Sequence, residues 1–398
     1  MLTSQKHLSF KQGIAPHSLL RGQARLSTLP RSSNPITIPD KLSYHFLRGD
    51  PVVSDARPTR VSLIGCGFYA QNHLNAWNDL RTRGANLVAV CDLDAAKAEA
   101  AGRKFGVQWF TDAAQMLDTM NIDLLDIATQ MHSHRALGAL AAERGIAAVL
   151  QKPLAPTLGE CEDIVATAAR YGTWLAVHEN FRFETPMRHV KARLEAGDIG
   201  HPNWARISFR TGYDIYVGQP YLMSEARLSI IDSGIHVLDL ARWFLGEVTH
   251  LTCETQRRNP KIQAEDTATI LLRHKSGAVS VVETTYEAHR IPDPFPETLL
   301  EIEGTEGSVI VAPGEQMTLT SRGKVSTEFI GAPLLPWTAR PWHVSQEAVL
   351  HTCAHMLDSF RAGKPAETDG ADSLRTFSLV EAAYQSAEAH TSVCPKFN

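Results

Sequence analysis

A short glycine-rich segment constrains the fold of this chain more than any other part of the sequence. Residues 61–64 (VSLI) form an apolar run rich in strand-favouring residues, and residues 65–70 (GCGFYA) follow directly. A stretch with helical spacing comes next, with Leu74, Trp77 and Leu80 on one face. A strand, a tight glycine turn and a helix in this order predict the first unit of a parallel α/β sheet.

Strand-like and helix-like segments then alternate up to residue 150. The strand-like runs at residues 87–91, 124–128 and 147–150 are almost continuously apolar. Such runs are typical of parallel strands that helices cover on both faces. We therefore predict a doubly wound α/β sheet in this part of the chain.

Three small residues of the glycine-rich segment match a dinucleotide-binding turn. Gly65 permits the tight turn, Gly67 lets the backbone approach a pyrophosphate, and Ala70 lets helix and strand pack closely. Asp92 ends the second strand, 25 positions after Gly67, and none of the next four residues is basic. A carboxylate there binds the adenosine ribose and repels a 2′-phosphate. The segment predicts NAD binding in preference to NADP; the alternative is an ordinary strand-to-helix turn.

Two further places carry side chains suited to hydride-transfer chemistry. Lys152 follows the fifth strand, at the strand end where open α/β sheets bind ligands, and its ammonium can stabilise a developing alkoxide. Asp232 and His236 are four residues apart, on one face of a helix, and we expect His236 to titrate near neutral pH, as a general base requires. The alternatives are a solvated lysine, a helix cap and a core histidine.

Taken together, these motifs resemble those of the Gfo/Idh/MocA oxidoreductases, the family of glucose–fructose oxidoreductase and inositol dehydrogenase. The resemblance runs from about residue 58 to the C-terminus. It rests on the glycine-rich segment with Asp92, Ala128-Thr129 with His134, Lys152-Pro153, residues 179–183, residues 196–200, Asp232 with His236, and residues 303–307. Residues 151–153, 178–183 and 219–221 are similar to the apiose dehydrogenase branch of the family.

The resemblance implies two domains. Residues 58–178 form an NAD-binding Rossmann domain, and residues 179–398 form an α+β substrate and oligomerisation domain with a large, mostly antiparallel open sheet. Strand-like runs between residues 204 and 302 agree with the second domain. Residues 1–57 are predicted to be a disordered or loosely attached extension, because the first 39 are rich in Arg and Ser and poor in apolar residues. A transit peptide and a misplaced start codon are the alternatives.

The resemblance also implies roles for individual residues. His236 is the general base, Lys152 orients the hydroxyl, and Asp232 tunes His236, so these three are the predicted catalytic residues. The predicted cofactor contacts are Gly65, Gly67, Phe68, Tyr69, Ala70, Asp92, Thr129, His134 and Lys152. The predicted substrate contacts are Lys152, Glu179, Asn180, Arg182, Tyr221, Asp232 and His236. Gln151 stands where the family has Glu, and Gln130 and Met131 stand where it has prolines.

The predicted function is that of an NAD-dependent dehydrogenase that oxidises a hydroxyl of a sugar or polyol, such as an apiose-like aldose to its lactone. An NAD-dependent glycosidase and a non-catalytic sugar or dinucleotide sensor are the alternatives. No metal is predicted: His351, Cys353 and His355 share a helical face, but no carboxylate completes a site.

Composition and charge limit the partners. The net charge is −4 with no basic stripe, which excludes nucleic acid, and no apolar run is long enough to span a membrane. Six scattered cysteines without a C-x-x-C pair favour a reduced, cytoplasmic setting. An exposed face on the large sheet predicts a homo-oligomer, either a dimer or a tetramer.

Overall fold

The structure is a computed structural model that describes residues 57–397. The first sheet has six parallel strands in the order β3-β2-β1-β4-β5-β6. Its strands are β1 (Thr59–Ile64), β2 (Ala85–Cys91), β3 (Gln108–Phe110), β4 (Leu124–Ile127), β5 (Ala147–Gln151) and β6 (Leu175–His178). The helices between them are α1 (Ala70–Asp79), α2 (Ala95–Phe105), α3 (Ala113–Thr119), α4 (His134–Ala142) and α5 (Leu158–Tyr171). This arrangement confirms the predicted doubly wound Rossmann sheet.

The second sheet has eight strands in the order β14-β13-β12-β11-β7-β10-β9-β8. Its strands are β7 (Pro202–Arg210), β8 (Val248–Gln256), β9 (Thr267–His274), β10 (Val279–Thr285), β11 (Leu299–Gly304), β12 (Gly307–Ala312), β13 (Gln316–Ser321) and β14 (Lys324–Phe329). β10 and β7 run parallel and the other neighbours antiparallel, which confirms the predicted mostly antiparallel sheet.

Helices cover one face of the second sheet. The helices of this half are α6 (Thr185–Glu195), α7 (Ile235–Leu245), α8 (His343–Arg361) and α9 (Gly370–Ala389). β9 alternates buried and exposed residues, because its inner face packs towards α7 and α9 while Leu271 on its outer face is half-exposed. A short π-helical turn, Ile230–Gly234, leads into α7.

Helix α8 does not stay with the second sheet. Its buried residues Val349, Cys353 and Leu357 pack in one apolar cluster with Leu74 and Trp77 of α1. The sequence assigned residues 345–361 to the second domain, but the apolar face of α8 completes the core of the first. Within residues 57–397, no helix combines the length and the apolar character that crossing a bilayer requires.

Candidate active site

A cavity of about 880 Å³ lies between the two sheets, at the carboxyl ends of the parallel strands. One end is lined by the glycine-rich segment and Asp92, and the other by Lys152, Asp232 and His236. Open α/β sheets bind ligands at this edge. The structure therefore brings the two predicted groups of residues into one cavity, although Asp232 and His236 lie 140 or more positions after Asp92 in the chain.

The glycine-rich turn has a shape that needs glycine. Gly65 has a φ of +98°, and a Cβ there would lie 2.6 Å from the carbonyl oxygen of Ala128. No atom lies within 4 Å of a Cβ placed on Gly67, so the backbone is open to the cavity at this point. A pyrophosphate can approach such a bare backbone at the start of α1.

Asp92 holds the same turn in place and faces the cavity. Its Oδ2 accepts a hydrogen bond from the backbone N–H of Cys66 at 2.7 Å, and its Oδ1 accepts one from the backbone N–H of Asp94 at 2.8 Å. The carboxylate keeps further lone pairs for ribose hydroxyls. The turn and Asp92 therefore fit NAD. Other predicted cofactor contacts that line the cavity are Phe68, Tyr69, Ala70, Thr129 and Lys152.

His134 has a different place from the predicted one. Its ring is fully buried, outside the cavity lining, and contacts the carbonyl oxygens of Thr129 at 3.1 Å and of Pro153 and Leu154 at 3.2 Å. Both ring nitrogens face backbone oxygens, so His134 braces the loop after β4 against the loop after β5. The sequence reveals no such role, because the three carbonyl groups come together only in the folded chain.

Lys152 and Asp232 form an ion pair at the far end of the cavity. Lys152 Nζ lies 2.8 Å from Asp232 Oδ1 and 2.9 Å from its carbonyl oxygen, and Tyr286 donates its hydroxyl to Oδ2 at 2.6 Å. Burial raises the pKa of Asp232, but the ammonium of Lys152 and the Tyr286 hydroxyl outweigh burial and hold it below its usual value. Asp232 is expected to tune His236, and its charge does raise the pKa of His236, although its own hydrogen-bond partners are Lys152 and Tyr286.

His236 pairs with Glu179 instead. Nδ1 of His236 and Oε1 of Glu179 share a very short hydrogen bond, and the Phe181 ring stacks flat on the imidazole at 3.8 Å. Burial and then the nearby Lys152 charge lower the pKa of His236 well below its usual value. The expectation that His236 titrates near neutral pH is therefore wrong, because it ignores burial.

The predicted substrate contacts divide into two sets. Asn180 and Tyr221 line the cavity with Lys152, Asp232 and His236. Arg182 lies outside the cavity lining, where it donates to Asp239 and Asp372 at 2.6 Å in a buried ion-pair network. The guanidinium N–H groups already donate to these carboxylates. Arg182 therefore stabilises the fold in this structure and does not contact the substrate cavity.

The cysteine of the His351-x-Cys353-x-His355 pattern belongs to another cluster. Cys353 lies with His73 and His178 in a buried group whose ligand-type atoms are within 4.8 Å of one another. His73 contacts Asp126 through Nδ1 at 2.8 Å, and Gln151 donates to its Nε2 at 3.1 Å. These hydrogen bonds already use both nitrogens of His73, so we interpret the cluster as a polar network.

Comparison with known proteins identifies the family. A profile of the oxidoreductase family GFO_IDH_MocA, NAD-binding Rossmann fold, matches residues 59–179, and a profile of the GFO/IDH/MocA C-terminal domain matches residues 187–310. The chain is 45% identical to a D-apiose dehydrogenase of Rhizobium rhizogenes over 82% of this chain and 94% of that protein. It is 43% identical to a D-apiose dehydrogenase of Paraburkholderia graminis over 83% of this chain and 88% of that protein.

A solved structure agrees with this result. An oxidoreductase from Agrobacterium radiobacter in complex with NAD+, L-tartaric acid and magnesium superimposes with a TM-score of 0.83 at 44% identity, over 84% of this chain and 98% of that one. A levoglucosan dehydrogenase in complex with NADH and levoglucosan shares the fold, with a TM-score of 0.77 at 21% identity over 86% of this chain and all of the other. The chain therefore belongs to the Gfo/Idh/MocA family of NAD-dependent oxidoreductases.

Proposed function

We propose that this protein oxidises D-apiose to its lactone, with NAD as the hydride acceptor. The observation that carries the proposal is the meeting of Lys152, Asp232 and His236 at one end of a cavity whose other end fits a dinucleotide. The two relatives named D-apiose dehydrogenase, at 43–45% identity, support the choice of sugar. In this proposal, residues 58–178 bind NAD and residues 179–398 bind the sugar.

The residues around the far end of the cavity divide the work of oxidation. NAD, when bound, supplies the acceptor for the hydride. His236 takes the hydroxyl proton, because a carbinol carbon releases hydride only as its hydroxyl is deprotonated. Lys152 stabilises the developing alkoxide, and Asp232, which itself accepts a hydrogen bond from the Tyr286 hydroxyl, holds the ammonium of Lys152 in place. Asn180 and Tyr221 bind the other hydroxyl groups of the sugar.

The test is NADH formation from a panel of sugars. D-Apiose should give the highest kcat/KM, ahead of myo-inositol, levoglucosan and D-xylose. Lys152→Ala, whose kcat should be lower by ~10²-fold or more, gives the background control. Stoichiometric NADH also excludes the glycosidase alternative, in which the reduced cofactor is reoxidised within each turnover. Failure to form NADH from D-apiose, or a better polyol substrate, would contradict the proposed substrate.

We further propose a cytoplasmic homo-oligomer. All six cysteines are thiols in the structure, which suits a reducing compartment. The open face of the second sheet exposes Leu271, Val325 and Phe329, and paired sheet faces would cover them. Light scattering should find a dimer or tetramer, and Leu271→Glu should weaken it; a monomer at micromolar concentration would contradict this part of the proposal.

A further inference from the structure

The two ring nitrogens of His236 have different surroundings. Nδ1 faces the carboxyl group of Glu179, while the ring borders the cavity and Nε2 has no hydrogen-bond partner among residues 57–397. A neutral imidazole carries one N–H, so one nitrogen donates and the other accepts. The partner of Nδ1 therefore decides whether Nε2 can take a proton from a substrate.

The protonation state of Glu179 sets this choice. An ionised Glu179 can only accept, so it fixes the hydrogen on Nδ1 and leaves a lone pair on Nε2 for the substrate hydroxyl. A protonated Glu179 donates to Nδ1, which moves the ring hydrogen to Nε2. In that state His236 presents an N–H to the cavity and cannot act as a base.

We propose that Glu179 is the positioning residue that switches His236 between a competent and an incompetent base. The inference rests on the proposed dehydrogenase function and assigns a regulation to the same site. It replaces the substrate contact predicted for Glu179, whose carboxyl group lies behind the imidazole and outside the cavity lining.

The local structure holds both partners in this arrangement. The side chains of Glu179 and His236 are 5% and 6% exposed. Oε1 of Glu179 also accepts the backbone N–H of Phe181 at 3.1 Å, and the ring of Phe181 stacks on the imidazole with an interplanar angle of 2°. Neither partner can therefore turn to another hydrogen bond without breaking a second contact.

Charges from several elements act on Glu179. Burial and then Asp239 of α7 raise the pKa of Glu179 to about 8, although the Phe181 N–H, Lys152 and Arg182 act in the opposite direction. Its other titratable neighbours are Glu184, whose own pKa burial and Glu179 raise, and Tyr69, whose pKa burial raises. Because burial also keeps His236 neutral, Glu179 is the member of this pair that changes its charge when the pH rises. The competent base therefore forms on the alkaline side of neutrality.

The proton balance of a turnover is complete with these groups. The hydride of the carbinol carbon goes to NAD, as proposed above, and the hydroxyl proton goes to Nε2 of His236. The Nδ1 proton passes to Glu179, which ends the turnover protonated. Nε2 of His236, which borders the cavity, then releases its proton to solvent while Glu179 returns its proton to Nδ1, and this restores the competent state for the next substrate.

Glu179→Gln is the decisive variant, because glutamine keeps the size and the acceptor for Phe181 but cannot ionise. In the wild type, kcat/KM should rise with pH through an apparent pKa near 8. In Glu179→Gln, kcat should fall by ~10²-fold, and this rise should disappear. Glu179→Asp should restore a rise with pH. A variant that keeps the wild-type profile would overturn the proposal and leave Glu179 a structural role.

Two controls separate this inference from the proposed function. Glu184→Gln removes another buried carboxyl group close to Glu179 and should keep the rise with pH. If wild type forms no NADH from any sugar, the proposed function fails before Glu179 is tested. The ring-nitrogen NMR shifts of His236 in the wild type give a second measurement that needs no variant. They should show the change from an Nε2–H to an Nδ1–H tautomer as the pH rises, and an unchanged tautomer would contradict the switch.

Discussion

Two small groups of side chains at the substrate end of the cavity differ in how they are held. In the ion pair of Lys152 and Asp232 the side chains are 15% and 21% exposed, and opposite full charges hold them together. In the pair of His236 and Glu179 they are 6% and 5% exposed, and one shared proton links them. The first pair is therefore suited to constant electrostatic stabilisation, and the second to a change of state with pH.

The largest effect is expected from removing one member of each pair. Lys152→Ala and His236→Ala should each lower kcat by ~10²-fold or more, because one removes the alkoxide partner and the other the base. Affinity for NAD should change little, because Gly65, Gly67 and Asp92 carry the cofactor. Stopped-flow and titration measurements check both values. A His236→Ala enzyme with the wild-type rate would move the search for the base to Lys152.

A large loss of stability is expected from substituting Arg182, whose charge acts on Glu179 but which belongs to neither pair. Arg182→Ala leaves Asp239 buried without its main cationic partner, and should lower the free energy of unfolding by about 3–5 kcal/mol. Denaturant unfolding measures this change. Arg103→Ala, which breaks an exposed pair with Glu99, should cost less than about 0.5 kcal/mol. Equal losses in the two variants would show that the buried network adds no stability.

Tyr286→Phe sharpens the comparison, because it alters the ion pair and leaves the proton-sharing pair intact. It removes one hydrogen bond from Asp232, so kcat should fall by about tenfold. The rise of kcat/KM with pH should stay at its wild-type position, unlike the rise in Glu179→Gln. A pH profile that shifts in Tyr286→Phe would mean that the two pairs act as one unit.

A smaller effect concerns the opposite end of the cavity. Asp92→Ala should narrow the preference for NAD over NADP by about tenfold, because it removes both a ribose acceptor and the repulsion of a 2′-phosphate. Ratios of kcat/KM for the two cofactors measure this change. Asp94→Ala is the matched control, since Asp94 caps α2 and lies outside the cavity lining. Better turnover of wild type with NADP would contradict the role of Asp92.

The smallest effect is expected from deleting residues 1–50, which lie outside the described residues. Their sequence has no apolar pattern, so the shortened protein should fold and keep its kcat and its affinity for NAD. Activity and yield of the shortened protein are the measurements. Loss of either would show that the extension contributes to folding or to the site.

The two ends of the cavity also differ in how well the sequence predicts them. The turn at Gly65 and Asp92 follow consecutive strand ends, so local spacing is enough to place them together. Glu179 and His236 are 57 residues apart, and Tyr286 is 54 residues from Asp232. These contacts depend on how the second sheet and α7 pack against the end of β6. No period in the sequence encodes that packing.

The strands β12–β14 show a second limit of sequence-based prediction. β12 carries alternating buried residues, Val309 and Val311, and the predicted turn at residues 304–307 already implies a strand after it. β14 lies at the edge of the sheet and is mostly polar and exposed. It therefore lacks the alternation of buried and exposed residues that would predict a strand.

The packing of α8 on α1 has a consequence for synthesis of the chain. Trp77 and Leu74 of α1 are fully buried, and residues of α8, made nearly three hundred positions later, complete the cluster around them. While the ribosome is still making the second sheet, the nascent first domain must expose this apolar patch. The first domain can reach its complete native state only after α8 has left the ribosome. Its folding can therefore finish only when nearly the whole chain has been synthesised.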